Sequence, residues 1–189
     1  MEARITARDI ACRRGDRLLL RGIGFSLEAG QALHLAGANG IGKSSLIRIL
    51  AGLMQPFAGT VERTGKVALL DERIALDMNL PLAGALGFWA QLDGQEAALA
   101  PMGLEPLADV PVRYLSTGQK KRAMMARVLA QPASLWMLDE PLSGLDETAR
   151  ARIDELVAGH CASGGIAIIA SHQPFAMPMQ VLDLAEYAA

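Results

Sequence analysis

The chain has 189 residues, a net charge of −2 and 51% hydrophobic residues, which suits one domain with a proper core. Its only tight basic cluster is Lys120–Arg122, which argues against a nucleic-acid protein with an electropositive face. Two cysteines, Cys12 and Cys161, give neither a metal spacing nor a disulfide framework, as in a reducing cytoplasm. The mean hydropathy of +0.25 is high for a soluble protein and points to apolar surface that meets a partner. Met1-Glu2-Ala3-Arg4 leads into no apolar core, so no signal peptide is expected. Met78–Leu92 is uncharged, but Asn79 and Pro81 interrupt it and it is too short to span a bilayer.

In chain order, alternation at Ile23, Phe25 and Leu27 predicts an antiparallel β layer within residues 1–30. Leu33 and Leu35 predict a short buried strand. Immediately after it, Gly37-Ala38-Asn39-Gly40-Ile41-Gly42-Lys43-Ser44 fits the phosphate-loop pattern G-x-x-x-x-G-K-[ST] without a mismatch. Leu46, Ile49, Leu50 and Leu53 follow at helical spacing, with Gly52 placed to end the helix. Strand, glycine loop and helix are the context in which this motif wraps backbone N–H groups around nucleotide phosphates, with a helix N-terminus adding partial positive charge. Lys43 is placed to reach the outer phosphates and the Ser44 hydroxyl to ligate Mg²⁺; Ser45 belongs to the same nucleotide-binding run. The loop fixes the cofactor class and leaves the task open, because kinases, switches and motors all use it.

The stretch from about 73 to 130 is helix-like and interrupted by Pro101, Pro106 and Pro111. Within it, Leu115-Ser116-Thr117-Gly118-Gln119 has capping-box spacing at Ser116 and Gln119, followed by the i,i+4 pairs Met124/Val128 and Met125/Leu129. Gly118 leaves room for an approach to the backbone at that helix N-terminus. Leu135-Trp136-Met137-Leu138 then predicts a buried strand ending in Asp139 and Glu140, with Pro141 stopping it. Carboxylates at a parallel strand's carboxyl end lie where α/β sheets bind ligands. Asp139 is expected to hold Mg²⁺ and Glu140 to orient or deprotonate an attacking water. A further apolar strand, Ile166–Ala170, ends in Ser171-His172, whose imidazole is expected to reach the γ-phosphate.

This order of motifs resembles the ATP-binding subunits of ATP-binding cassette (ABC) transporters. The matching stretches are the phosphate loop 37–44, the signature 115–119, the acidic strand 135–140, the aspartate loop Ser143-Gly144-Leu145-Asp146 and the switch His172. The resemblance implies an α/β phosphate-loop NTPase fold with a mostly parallel core sheet, an N-terminal antiparallel β layer and a small helical lobe. It implies one ABC domain over 1–189, with 1–72 and 131–189 as core lobe and about 73–130 as helical lobe. It also implies ATP and Mg²⁺ as cofactors and a dimer of two copies sandwiching ATP. There Leu115, Ser116, Gly118 and Gln119 of one copy complete the site of the other, and Asp146 is the aspartate of the aspartate loop. An integral membrane permease would be the partner, nucleic acid would not, and the chain would sit peripherally on the cytoplasmic face of the bacterial inner membrane.

Within that family the chain is most similar to the cytochrome c maturation subunits associated with haem export. The supporting stretches are 22–30, 134–141 and 164–174. ATPase subunits of other small exporters, or a non-transport ATP switch, are the alternatives. Two positions depart from the family. Where an aromatic residue usually stacks on adenine, the chain has Cys12-Arg13-Arg14-Gly15, and Arg13 or Arg14 can stack by its guanidinium face. Where a glutamine usually follows the strand at Val67–Leu70, the chain has Asp71-Glu72-Arg73, which places a carboxylate beside ATP. The uncharged patch Leu80–Leu92, with Phe88 and Trp89, is expected to be helical-lobe core in the first instance. The second possibility is a groove for a membrane subunit's cytoplasmic helix.

Overall fold

The computed structural model describes residues 2–189. Two sheets organise it. Strands β1 (Arg4–Arg14), β2 (Arg17–Glu28) and β4 (Ala58–Thr64) form an antiparallel sheet in the order β2-β1-β4. Strands β3 (Ala32–Ala36), β5 (Val67–Leu70), β6 (Leu135–Asp139), β7 (Ile166–Ala170) and β8 (Gln180–Asp183) form a parallel sheet in the order β5-β6-β7-β3-β8. Every residue of β6 and β7 is buried, as expected for parallel strands covered on both faces. The predicted antiparallel layer and parallel core are both present. The strands β4 and β8 were not foreseen, because both are largely exposed and so lack the apolar alternation that marks a strand.

Two apolar cores flank the parallel sheet. One lies between it and the antiparallel sheet and takes in helix α1 (Lys43–Ala51) through Leu46, Ile47 and Leu50. The other packs α2 (Leu82–Leu92), α3 (Thr117–Ala130) and α4 (Glu147–Ala162) against the opposite face through Leu86, Met125 and Ile153. Because side chains alternate along each strand, Leu135 and Met137 serve the first core while Trp136 and Leu138 serve the second.

Two expectations change. Helix α1 ends at Ala51 with Gly52 as a left-handed cap, so Leu53 lies beyond it and is 69% exposed instead of continuing the buried stripe. The segment 73–130 holds two α-helices separated by three single 3₁₀ turns at Ala100–Met102, Glu105–Leu107 and Val112–Tyr114. Pro101 and Pro106 sit inside their turns, and Pro111 immediately precedes the third. Proline there withholds an N–H that a longer helix needs and fixes the φ that a turn needs.

Candidate nucleotide site at the carboxyl end of the parallel sheet

The carboxyl ends of β3, β6 and β7 lie side by side, with β7 between the other two. The loop after β3, the Asp139-Glu140 pair after β6 and His172 after β7 therefore converge without any side chain having to reach far. A pocket of about 410 Å³ opens there, lined by Asn39, Lys43, Ser44, Glu72, Asp139 and Glu140 among others.

Residues Gly37–Gly42 turn the chain from β3 into α1. Gly42 has φ 124°, and a Cβ there would lie 2.9 Å from Leu20 Cδ1. Only glycine lets the loop turn at this point while the β1–β2 hairpin presses against it. The Lys43 side chain folds over the loop: Nζ donates to Gly37 O at 2.7 Å and Ala38 O at 3.3 Å. His172 Nε2 lies 3.0 Å from Lys43 Nζ and 3.4 Å from Glu140 Oε1, and it also pairs with Asn39 Oδ1. One nitrogen cannot both accept from Lys43 and donate to Asn39. With its proton on Nδ1 the ring accepts from Lys43; with a proton on Nε2 it donates to Asn39.

Asp139 is almost wholly buried, and burial pushes its carboxyl above the usual range. A hydrogen bond from the Ser44 side chain opposes that shift, while the charges of Glu140 and Glu72 add to it. Glu140 follows in a left-handed backbone conformation with φ 49°, uncommon for a non-glycine residue and held by its N–H bond to Ala170 O at 2.8 Å. Its Oε1 is buried and has no hydrogen-bond partner. That strained turn swings the Glu140 side chain out of the sheet toward His172 and the phosphate loop.

The oxygen donors suit Mg²⁺. Among the described residues no set of three or more His, Cys, Asp or Glu forms a cage for a metal. One buried carboxylate paired with a serine hydroxyl is the donor set of an ion that keeps waters and takes phosphate oxygens.

The signature stands apart from this pocket, and none of its residues lines it. Leu115 is buried, and Ser116 and Gln119 form a reciprocal cap: Gln119 N donates to Ser116 Oγ at 3.2 Å and Ser116 N to Gln119 Oε1 at 2.8 Å. The room at Gly118 is used within the chain, since a Cβ there would lie 2.9 Å from Gly144 O. The signature and the aspartate loop are therefore in backbone contact. Asp146 caps α4, its Oδ1 accepting from Ala149 N at 2.8 Å.

At the two departures the structure separates neighbours. Arg13 lies over the Phe57 ring at 4.8 Å, whereas Arg14 and Leu19 line the pocket. Asp71 pairs with Arg48 at 3.1 Å, which leaves Glu72 facing the phosphate loop. The patch 80–92 is divided lengthwise: Leu82, Ala85, Leu86 and Ala90 are core, while Leu80, Phe88 and Leu92 are exposed. The core reading therefore holds for one face of α2, while Phe88 and Leu92 on the other face, and Leu80 before the helix, are exposed.

Two contributors escaped sequence reasoning. His34 Nε2 bonds Ser171 O at 2.7 Å and so fixes the turn that carries His172. A histidine in the run Leu33-His34-Leu35 was the available signal. Lys121, on α3, has its ammonium pKa lowered by burial, with the charges of Asp139, Glu140, Glu72 and Asp71 acting against that shift. It brings a cation from α3 toward the acidic strand end.

A model of the ABC transporter family matches residues 20–143. The cytochrome c biogenesis ATP-binding export protein CcmA of Novosphingobium aromaticivorans is 61% identical, over 93% of this chain and 92% of that protein. The protein of the same name from Zymomonas mobilis is 49% identical, over 98% of this chain and 82% of its own length. Among solved structures, an ABC transporter ATP-binding protein from Pyrococcus furiosus superposes with a TM-score of 0.84 over 98% of this chain and 100% of that one. At 22% identity that likeness shows the shared fold.

Proposed function

This chain belongs to the ABC transporter family as one of its ATP-binding ATPases, and from that premise we propose that it drives an export complex in cytochrome c biogenesis, with haem as the cargo handled. The observation that carries the ATPase reading is the meeting of Lys43, Asn39 and Glu140 around His172 Nε2. The pathway rests on the identity to the two named relatives.

In this reading the N–H groups of 37–45 and Lys43 bind the phosphates, and Ser44 and Asp139 hold Mg²⁺. The ion, when bound, neutralises charge on the β- and γ-phosphates. Glu140 orients a water and takes its proton as the water oxygen bonds to the γ-phosphorus and the bond to ADP breaks. His172 hydrogen-bonds the γ-phosphate. Arg14 faces the base, the task that Arg13, engaged with Phe57, does not share. A second copy contributes Leu115, Ser116, Gly118 and Gln119 from its helix N-terminus, with Asp146 beside them. The core lobe (1–72 and 131–189) binds nucleotide and the helical lobe (about 73–130) carries the signature. No helix among the described residues is long and apolar enough to cross a membrane. The chain works peripherally, on the cytoplasmic face of the inner membrane, with an integral permease.

Affinity purification from native membranes tests this. An integral membrane protein with associated haem is the expected companion. Recovery with soluble proteins alone would overturn the export reading, and a membrane companion with a different cargo would overturn the cytochrome c assignment.

A further inference from the structure

The basic triplet Lys120-Lys121-Arg122 near the start of α3 sends its cations to different places. Lys120 Nζ donates to Arg113 O at 3.2 Å, and the Arg122 guanidinium donates to Met102 O at 3.1 Å. Both therefore tie the helix to 3₁₀ turns that precede it. Lys121 does neither. It lies three, four and seven residues before Met124, Met125 and Val128, which are buried in the core that Leu70 and Leu138 share. That spacing puts Lys121 on the sheet-facing side of α3. The residue is half-buried there and forms no ion pair among the described residues.

The sheet edge near it is a double row of acids. Strands β5 and β6 run parallel with Leu70 beside Leu138, and each continues into two acids, Asp71-Glu72 and Asp139-Glu140. Neighbouring strands stand about 4.8 Å apart, so these carboxylates crowd one edge. Three are answered within the chain: Asp71 pairs with Arg48 at 3.1 Å, Asp139 takes a hydrogen bond from the Ser44 side chain, and Glu140 lies 3.4 Å from His172. Glu72 lines the nucleotide pocket and has no ion pair among the described residues. Of the nearby cations, Arg48 is held by Asp71, and Lys43 turns to the loop carbonyls and His172. Burial lowers the Lys121 ammonium pKa, and the charges of Asp139, Glu140, Glu72 and Asp71 oppose that shift, so its field and theirs overlap. A triphosphate entering the pocket brings more charge of the acids' sign. A neutral amide at position 72 would leave two acids lining the pocket, whereas the carboxylate makes three. Like charges this close are costly until a cation offsets them.

We propose that Lys121 is a positioning residue that offsets the Glu72 carboxylate, drawing it toward α3 and away from an incoming triphosphate. The inference rests on the reading of this pocket as the nucleotide site, and it assigns a task to the member of the basic triplet that has no bond of its own. Lys121 acts through Glu72 and touches no nucleotide atom.

The test is a double-mutant cycle on the full chain, read by calorimetric binding of ATP without Mg²⁺ and by denaturant unfolding without nucleotide. Lys121→Met should weaken ATP binding about tenfold, because an unopposed carboxylate is left beside the phosphates. Lys121→Arg keeps the charge and should stay within about twofold of the parent. When Glu72→Gln is already present, the same Lys121→Met change should cost about twofold or less. The unfolding midpoint gives a readout independent of nucleotide: Lys121→Met should be less harmful, or more favourable, in the Glu72→Gln background than in the parent. If Lys121→Met does not fold, Lys121→Gln takes its place in the cycle. If neither folds, adding Glu72→Gln should restore folding, and failure to do so would overturn the pairing. Equal losses in both backgrounds, a Lys121→Met chain that binds ATP as the parent does, or a Lys121→Arg chain as weak as Lys121→Met would also overturn it. A parent chain that binds no ATP would instead overturn the reading of the pocket.

Discussion

The phosphate-loop end and the signature end of this molecule use glycines and helix N-termini in similar ways, yet only one of them is chemically assembled within a single chain. At the phosphate loop, Lys43, Asn39 and Glu140 each already lie within hydrogen-bonding or near-bonding distance of His172 Nε2. At the signature, Ser116 and Gln119 cap their own helix and Gly118 accommodates Gly144, while no signature residue lines the nucleotide pocket. The difference teaches that a helix start satisfied within its own chain, away from the pocket, gives that chain's nucleotide nothing, so any role for it in the site requires a second copy. In the proposed reading, the N–H groups at the start of α3 meet an anion bound by a second copy.

The sharpest way to break that contrast is at the assembled end. Lys43→Ala removes the one buried cation that reaches over the loop. Charge-assisted bonds contribute about 1.5–3 kcal/mol each, so ATP affinity of the isolated chain should fall roughly 10–100-fold. Calorimetry reads this directly, and an unchanged affinity would remove the phosphate-loop assignment. At the other end a smaller effect is expected. Ser116→Ala breaks the reciprocal cap with Gln119 and should lower folding stability by about 1 kcal/mol, measured by denaturant unfolding. ATP affinity of the isolated chain should not move. A loss of affinity there would mean that the signature serves its own chain's nucleotide, and the two-half description would fail.

Much of the nucleotide end was legible in the sequence because its parts depend on local order. A strand of continuous apolar residues, a glycine-rich turn and a capped helix each declare themselves within ten residues, and parallel pairing then brings β3, β6 and β7 to one edge. The capping box at Ser116 was legible for the same reason. What stayed hidden depends on which way a side chain turns. Arg13 and Arg14 are neighbours, yet strand alternation sends one to Phe57 and the other to the pocket. Asp71 and Glu72 divide likewise, one taken by Arg48 and the other left facing the phosphate loop. Nothing in the local sequence marked the left-handed backbone at Glu140, which depends on a bond to Ala170 from a strand about thirty residues later. For the patch 80–92 the sequence offered both core and an outward groove without dividing its residues between them, because burial on one side of a helix is decided by packing and not by composition.

The central claim is that two copies close two sites, each signature facing the other copy's nucleotide. Sedimentation velocity of Glu140→Gln tests it most directly. This variant keeps the binding groups and loses the base that consumes the nucleotide. With saturating ATP–Mg²⁺ it should sediment as a dimer, and adding Ser116→Arg to the same chain should return it to monomer while calorimetry still finds bound ATP. A Glu140→Gln chain that binds ATP and remains monomeric, or a dimer indifferent to Ser116→Arg, would contradict the account.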